Sequence, residues 1–352
     1  MTIVKTIDEV DAAWLTGALG AEVSEFAVTP VGTGQMGDSY RLAVTYGHGA
    51  PGAPASVVVK LASTDERSRA TGLALRAYEV EVNFYLHLAR TVDIAVPGCF
   101  FAEVDPGTGW FTLVLEDLAP AVQGDHFSGC TPDQAELALA ELARLQGPRW
   151  GDPELANTRW LNRRTPESDD FTAAMVASLW PGFLERYGDR LDENQRKVCA
   201  SLMDRLGEYL AQEVGPSSIV HGDYRLDNML LGATDGPRPV AVVDWQTAAW
   251  GPPLMDAAYF LSAAFSDRAE RAAVERDLIA SYHDHLRSYG VDDLSWDECW
   301  TAYRRGTFSS IFMAVASSML VERTDRGDDM FMTSIERGCA QIEDLDALEL
   351  LP

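Results

Sequence analysis

The segment His221–Asn228, with the sequence His-Gly-Asp-Tyr-Arg-Leu-Asp-Asn, constrains this chain more than any other feature. The apolar residues before it predict a short strand, and its glycine permits a sharp turn that would project Asp223 into a cleft. A second apolar run, Pro239–Val243, is followed directly by the carboxylate of Asp244. The pattern therefore predicts two neighbouring loops that carry carboxylate and amide oxygens at fixed offsets.

Those oxygens suit the transfer of a γ-phosphoryl group from a nucleotide, in which catalysis depends on positioning and on neutralising charge with Mg²⁺. Asp223 is the candidate base, because it could take the proton of an acceptor hydroxyl. Asn228 and Asp244 are the candidate Mg²⁺ ligands, because this ion prefers hard oxygen ligands. His221 is included among the candidate catalytic residues. Its place before the turn nevertheless favours a structural role, with hydrogen bonds to backbone near Asp244 that hold the two loops together.

The stretch Gly32-Thr-Gly34-Gln-Met-Gly37 matches the pattern G-x-G-x-x-G, which dinucleotide-binding folds and kinase glycine loops share. A helix must follow this pattern in the dinucleotide fold, but Tyr40–Tyr46 alternates apolar and polar residues at the period of a strand. The loop is therefore predicted at the tip of a β-hairpin, where backbone N–H groups could approach triphosphate oxygens. The alternatives are a glycine-rich turn without a ligand and a dinucleotide-dependent oxidoreductase.

Lys60 lies near the end of an apolar run, Ala55–Leu61, that predicts a buried strand, where a lysine is costly without an anionic partner. Phosphate and a carboxylate together could supply that partner, so Lys60 is a candidate for both nucleotide binding and catalysis. Glu81, on a predicted helix, lies next to the apolar face that would pack on the sheet and could reach Lys60. Glu79 is the weaker candidate, and the alternative is that both glutamates are solvated helix charges.

The periodicity predicts an α+β fold with two lobes. Residues 1–118 would form a nucleotide-binding lobe with a small antiparallel sheet and one long helix, and residues 119–352 a larger helical lobe with the catalytic loop and the substrate site. The hinge is expected at Glu116–Pro120. Strands are predicted over Phe26–Val31, Tyr40–Tyr46, Ala55–Leu61 and Phe111–Leu115. Helices are predicted over Leu73–Ala89, Pro132–Leu145 (with a capping box from Thr131 to Gln134), Phe171–Tyr187, Glu193–Glu213, Met255–Phe265, Ala269–Tyr289, Trp296–Val321 and Asp329–Leu348.

Composition narrows the range of partners. The chain has 28 Lys plus Arg against 54 Asp plus Glu, a net charge of −26, so neither nucleic acid nor an anionic membrane is an expected partner. The acidity favours cationic ligands or serves solubility. Five scattered cysteines without a Cys-x-x-Cys pair indicate reduced thiols. The acidic N-terminus is unlike a signal peptide, and the longest apolar run, Ile311–Leu320, is too short to span a membrane, so we expect a cytoplasmic protein.

Together the motifs resemble the aminoglycoside phosphotransferase and choline kinase-like superfamily of small-molecule kinases. The resemblance extends from about residue 22 to about residue 265 and is most specific at His221–Asn228 and at Asp244. The loop is also similar to phosphotransferase domains fused to acyl-CoA dehydrogenases, and Asp244-Trp-Gln is similar to ecdysteroid kinase-like proteins. A further aspartate, Asp256, matches a family residue with an architectural role.

The resemblance implies a bilobal protein-kinase-like fold with ATP and Mg²⁺ as cofactors. It implies ATP under Gly32–Gly37, the α- and β-phosphates on Lys60, Glu81 as the partner of Lys60, and adenine at the hinge that includes Glu116 and Leu118. The resemblance also implies Asp223 as the base and Asn228 and Asp244 as the Mg²⁺ ligands, the same residues that the two loops suggest.

The chain also departs from protein kinases. A protein kinase would have Asp-Phe-Gly beginning at the position of Asp244, followed by a long activation segment. In this chain Trp245 and Gln246 follow Asp244, and Gly251 lies only a few residues further on. No room remains for a peptide platform, so the expected substrate is a small hydroxylated molecule. The acidic balance favours a cationic acceptor such as an aminoglycoside, while the apolar side chains of the second lobe would suit an apolar alcohol. A catalytically weak nucleotide-binding protein of the same fold is a further alternative, and the oligomeric state is left open.

Overall fold

The computed structural model describes residues 2–32, 37–47, 50–212, 215–232, 239–321 and 323–352. They form two compact units. The first unit comprises Met1–Thr91, Ala95–Val122 and Gly232–Ala248, and the second comprises Val92–Ile94, Gln123–Leu231 and Ala249–Pro352. The functional boundary expected at residue 118 stays a prediction.

The first unit is built on a five-stranded antiparallel sheet with the strand order β1-β2-β3-β5-β4. Its strands are β1 (Val23–Pro30), β2 (Gly37–Tyr46), β3 (Ser56–Ala62), β4 (Cys99–Val104) and β5 (Phe111–Glu116). The predicted hairpin and the next two predicted strands are confirmed, whereas β4 was not predicted. Alternation along β3 buries Val57, Val59 and Leu61 on one face, so Lys60 points from the opposite face.

Helices of the first unit are α1 (Ala12–Leu19), α2 (Glu66–Ala74) and α3 (Ala77–Asn83), and α3 continues into a π-helical turn, Phe84–Leu88, and a 3₁₀ turn, Ala89–Thr91. The sequence predicted one helix over Leu73–Ala89, but the structure has a break at Arg76. Its φ of 58° is left-handed, and a left-handed residue cannot continue a right-handed helix. The break allows α3, which carries Glu81, to run in its own direction.

The second unit is mainly helical. Its helices are α4 (Pro132–Gln146), α5 (Pro166–Tyr187), α6 (Glu193–Met203), α7 (Leu206–Ala211), α8 (Leu254–Ala264), α9 (Arg268–Ser288), α10 (Trp296–Gly306), α11 (Ser309–Leu320) and α12 (Asp325–Asp344). Helix α4 begins at the predicted capping box, in which Thr131 and Gln134 bond each other's backbone. The helices predicted over Glu193–Glu213 and Trp296–Val321 are each divided in two. Helices α5, α6, α11 and α12 contribute to one apolar core, which includes Phe183, Leu202, Ile311 and Ile335.

A small sheet in the second unit leads into the loop His221–Asn228. Strand β8 (Ser218–Val220) pairs antiparallel with β11 (Ala249–Gly251), which pairs parallel with β7 (Asn162–Arg163). The other short strands are β6 (Val122–Gln123), β9 (Met229–Leu231) and β10 (Val240–Val242). The predicted combination of an antiparallel sheet in the N-terminal part and a helical C-terminal part is confirmed. No helix among the described residues is long and apolar enough to cross a membrane.

Candidate active site

Lys60 lies between two carboxylates in the first unit. Its Nζ donates a hydrogen bond to Glu81 Oε1 at 2.8 Å and another to Asp244 Oδ1 at 2.6 Å. The side chain of Glu81 is 1% exposed and that of Asp244 is 29% exposed. The structure thus brings three predicted site residues together, whereas Glu79 pairs with Arg76 at 3.0 Å.

The charges of this cluster are coupled. Burial alone would lower the pKa of Lys60, but Asp244 and Glu81 outweigh burial and raise that pKa above its ordinary value. Burial raises the pKa of Glu81, Lys60 lowers it, and Asp244 raises it further. Two carboxylates share one ammonium group, and Asp244 is the more exposed of the two.

Asp244 adopts a backbone conformation that is uncommon for a residue with a side chain. Its φ is 68° and its ψ is 63°, in the left-handed region, which aspartate tolerates better than most residues. The next residue, Trp245, is fully buried and stacks on Phe84 of the π-helical turn, with ring centroids 3.7 Å apart. Gln246 Nε2 donates to Asp244 Oδ2 at 3.2 Å. These contacts fix the turn that directs the Asp244 carboxylate towards Lys60.

The predicted nucleotide loop is described only at its two ends. Gly32 has a φ of 76°, which favours glycine, and a Cβ on Gly37 would lie 2.7 Å from the carbonyl oxygen of Leu61. The close approach of β2 and β3 therefore requires glycine at position 37. Gly34 lies outside the described residues.

The predicted adenine hinge follows β5. Glu116 is exposed and its N–H donates to the carbonyl oxygen of Gly98 at 2.7 Å, while the N–H of Gly98 donates to Glu116 Oε2 at 3.0 Å. The next residue, Asp117, accepts bonds from Arg41 Nε and Ser56 Oγ, both at 2.7 Å. Its pKa is lowered, because these hydrogen bonds outweigh the opposing effect of burial. Leu118 beside it is half-buried.

In the second unit, Asp223 is surrounded by hydrogen-bond donors. Tyr259 Oη donates to Asp223 Oδ1 at 3.2 Å, and Arg225 Nε donates to Oδ2 at 3.2 Å. Asn228 Nδ2 donates to Asp223 Oδ2 at 3.0 Å and to its carbonyl oxygen at 2.9 Å. Because these bonds use both amide hydrogens of Asn228, its Oδ1 faces away from them as an acceptor.

His221 and Asp256 hold the backbone of the loop by hydrogen bonds. The N–H groups of His221 and Gly222 donate to Asp256 Oδ2 at 2.6 Å and Oδ1 at 3.0 Å. The N–H of Asp223 donates to His221 Nδ1 at 3.2 Å. Nδ1 is therefore an acceptor, and His221 is fully buried. Burial raises the pKa of Asp256 to about 7, against the lowering effect of the two backbone N–H groups.

Two residues at this site were not predicted from sequence. Arg225 lies inside the motif and contacts both Asp223, at 3.1 Å, and Asp227, at 3.4 Å. Tyr259 lies one helical turn after Asp256 in α8, and that spacing alone could have suggested that both side chains face the loop.

Each unit carries one oxygen donor of a kind that suits a divalent cation. In the second unit Asn228 Oδ1, and in the first unit Asp244 Oδ2, are each hard oxygen donors of the kind that Mg²⁺ prefers. Among the described residues there is no cluster of three or more His, Cys, Asp or Glu side chains that could hold a metal ion. A magnesium ion bound by either residue would therefore need further oxygen ligands, which nucleotide phosphates and water supply in phosphoryl-transfer sites.

Comparison with known proteins identifies the class of protein to which this chain belongs. Residues 30–291 match the phosphotransferase enzyme family. One solved structure, of APH(2")-IIIa in complex with GDP and kanamycin, is 14% identical, covers 94% of this chain and 96% of its own, and has a TM-score of 0.55. Another, of a microcompartment-associated aminopropanol kinase, is 16% identical, covers 97% of this chain and 99% of its own, and has a TM-score of 0.50.

A curated relative matches over a shorter stretch. Acyl-CoA dehydrogenase family member 11 of Gallus gallus is 38% identical over 61 residues, which is 16% of this chain and 8% of the relative. The fold and the family match together define a small-molecule phosphotransferase enzyme. The chain belongs to the phosphotransferase enzyme family, and the predicted family and enzyme class are both confirmed.

Proposed function

We propose that this protein is an ATP- and Mg²⁺-dependent kinase that moves the γ-phosphate of ATP to a hydroxyl group of a small molecule. The observation that carries the proposal is the set of hydrogen bonds around Asp223, because three side chains orient a carboxylate that can accept a proton. Asp223 would take the proton of the acceptor hydroxyl as its oxygen attacks the γ-phosphorus, a contribution of roughly 10² to 10⁴ in rate.

The remaining residues would position the phosphates. Lys60 would bind the α- and β-phosphates, with Glu81 holding its ammonium group in place. Asn228 and Asp244 would hold Mg²⁺, which neutralises charge on the phosphates when bound. The glycines of the loop from Gly32 would let backbone N–H groups approach the nucleotide. We further propose that Glu116–Leu118 contacts adenine and that the enzyme works in the cytoplasm.

The acceptor is proposed only by class. Two structural neighbours are named for kanamycin and aminopropanol, both hydroxylated amines, and the net charge of −26 favours such cations. An apolar alcohol is the second candidate, because apolar and aromatic residues are abundant in the second unit and one of them, Tyr259, contacts Asp223.

A second candidate function is nucleotide binding with weak turnover. The guanidinium group of Arg225 lies 3.1 Å from Asp223 and donates a hydrogen bond to its carboxylate, which occupies an oxygen that a general base needs for the acceptor hydroxyl.

The experiment is an assay of Mg²⁺-dependent ADP release from ATP with amino sugars, aminoglycosides, choline-like alcohols, sterols and hydroxyacyl compounds. The kinase proposal predicts turnover with at least one acceptor, and none when Mg²⁺ is omitted. If ATP raises the melting temperature but no acceptor is phosphorylated, the binding function is favoured. Tight NADH binding without ATP binding would contradict both.

A further inference from the structure

Tyr85 carries a buried hydroxyl group without a protein partner. Its side chain is 7% exposed, and its Oη forms no hydrogen bond with any residue in the described part of the chain. Folded proteins contain few such groups, because a buried polar atom without a partner loses its hydration and gains nothing in return. Phenylalanine would fill the same space without this loss. The hydroxyl therefore points to a bond that forms in another state of the site.

The position of Tyr85 identifies that site. It follows Glu81 by four residues, so the two side chains lie on the same face of the helical segment. It belongs to the π-helical turn Phe84–Leu88, a type of local distortion that is frequent at functional sites. Burial raises the pKa of Tyr85, and the charges of Glu81, Cys99 and Asp244 raise it further. The hydroxyl is thus sensitive to the charge of both carboxylates that contact Lys60.

Glu81 has a matching acceptor. Lys60 Nζ forms its hydrogen bond with Glu81 Oε1. Oε2 is within ion-pair distance, at 2.7 Å, but has no aligned hydrogen bond of its own. The backbone N–H of Trp245 also stabilises the ionised carboxylate. A donor without a partner among the described residues and a carboxylate oxygen held by an ion pair therefore lie on one face of the same helical segment.

We infer that Tyr85 is a positioning residue for the Lys60–Glu81 pair. When Asp244 leaves Lys60 to hold a cation, Glu81 becomes the only carboxylate that orients the ammonium group. The Tyr85 hydroxyl then donates a hydrogen bond to Glu81 Oε2 and keeps that carboxylate against Lys60. This inference rests on the proposed function, because it requires that Asp244 binds Mg²⁺ together with ATP.

The test is the substitution Tyr85→Phe, which removes only the hydroxyl. We expect the melting temperature of the nucleotide-free protein to stay the same or to rise by about 1 to 4 °C, since an unpaired polar atom is removed. We expect the dissociation constant for Mg²⁺ and AMP-PNP, a non-hydrolysable ATP analogue, to increase about tenfold by calorimetry. Tyr46→Phe is the matched control, because the hydroxyl of Tyr46 donates to the carbonyl oxygen of Pro54 at 2.8 Å in the same unit. It should lower the melting temperature and leave nucleotide affinity unchanged.

Each outcome decides the inference. Weaker nucleotide binding together with an unchanged or higher melting temperature supports it. A dissociation constant within twofold of wild type overturns it, and so does a lower melting temperature of nucleotide-free Tyr85→Phe, which would show that the hydroxyl already has a partner. If the wild-type protein itself does not bind Mg²⁺ and AMP-PNP, the proposed function fails, and the inference fails with it for that separate reason.

Discussion

At the scale of single residues, Lys60 compensates the negative charge of two carboxylates in the first unit. It is the ammonium group between Glu81 and Asp244. Removing one partner of a buried ion pair leaves the other charge uncompensated, which costs more than the pair itself contributes.

Lys60→Met should therefore lower the free energy of unfolding by about 3 to 5 kcal/mol at pH 8. The loss should be smaller at pH 5, because Glu81 can then take up a proton and lose its charge. The double variant Lys60→Met/Glu81→Gln should regain most of the stability but no kinase activity. Urea denaturation of the three proteins tests this, and equal losses in the single and double variants would contradict the assignment of Glu81 as the main partner.

His126 gives a prediction about pH. It is 3% exposed, and burial, followed by the charges of Arg225 and Arg337, lowers its pKa to about 4. A lowered histidine pKa means that the unfolded chain takes up the proton first. The stabilising contribution is complete above about pH 6.5 and is lost as the pH falls towards 4.

His126→Gln removes this titration. When the pH falls from 7 to 4.5, the free energy of unfolding of wild type should decrease by about 2 to 3 kcal/mol more than that of His126→Gln. Denaturation curves at the two pH values measure it. A difference that is independent of pH would show that His126 does not keep a lowered pKa.

At the scale of elements, Asp256 attaches helix α8 to the loop His221–Asn228. Both of its oxygens accept backbone N–H groups, from His221 and from Gly222. Asp256→Ala should leave both N–H groups unpaired and lower the free energy of unfolding by roughly 2 to 5 kcal/mol. Asp256→Asn retains one carbonyl oxygen as an acceptor, so its free energy of unfolding should fall by about half as much. Equal effects of the two substitutions, measured by denaturation, would contradict this role.

Periodicity predicted most of these elements but not their interruptions. Helix α4 was predicted with its capping box, because both signals are local in sequence. The break at Arg76 depends on a left-handed backbone that no residue pattern marks. The division between α10 and α11 falls at Thr307, whose hydroxyl donates to the carbonyl oxygen of Arg304 at 2.7 Å. Such a side-chain bond competes with the helix, but only packing decides which one forms.

The same distinction applies to the site. The pairing of Lys60 with Glu81 was suggested by a strand period and a helix face, which are properties of the sequence. The contacts of Tyr259 and Tyr85 depend on how α8 and the π-helical turn pack, and neither has a motif. The contact of Lys60 with Asp244 was not predicted either, because the resemblance gave Asp244 only the role of a metal ligand.

At the scale of the whole molecule, net charge should influence stability. The chain carries a charge of −26, and like charges repel one another more in a compact state than in an unfolded one. Added NaCl screens this repulsion, since the Debye length falls from about 10 Å at 0.1 M to about 3 Å at 1 M.

We therefore expect the melting temperature to rise by about 2 to 4 °C between 0.02 and 0.5 M NaCl, the equivalent of about 1 kcal/mol. Scanning calorimetry measures the shift, and sucrose at the same osmolality is the uncharged control. A fall in melting temperature with salt would show that attractive ion pairs, such as Arg271 with Glu275, outweigh the general repulsion.

We propose that Asp223 is the base of a phosphoryl transfer. Its most direct test compares wild type with Asp223→Asn, using the best acceptor from the panel and measuring both kcat and the dissociation constant for Mg²⁺ and AMP-PNP. We predict a loss of kcat of roughly 10² to 10⁴ with nucleotide affinity within about twofold of wild type. Retained turnover in Asp223→Asn, with an intact fold by circular dichroism, would contradict it.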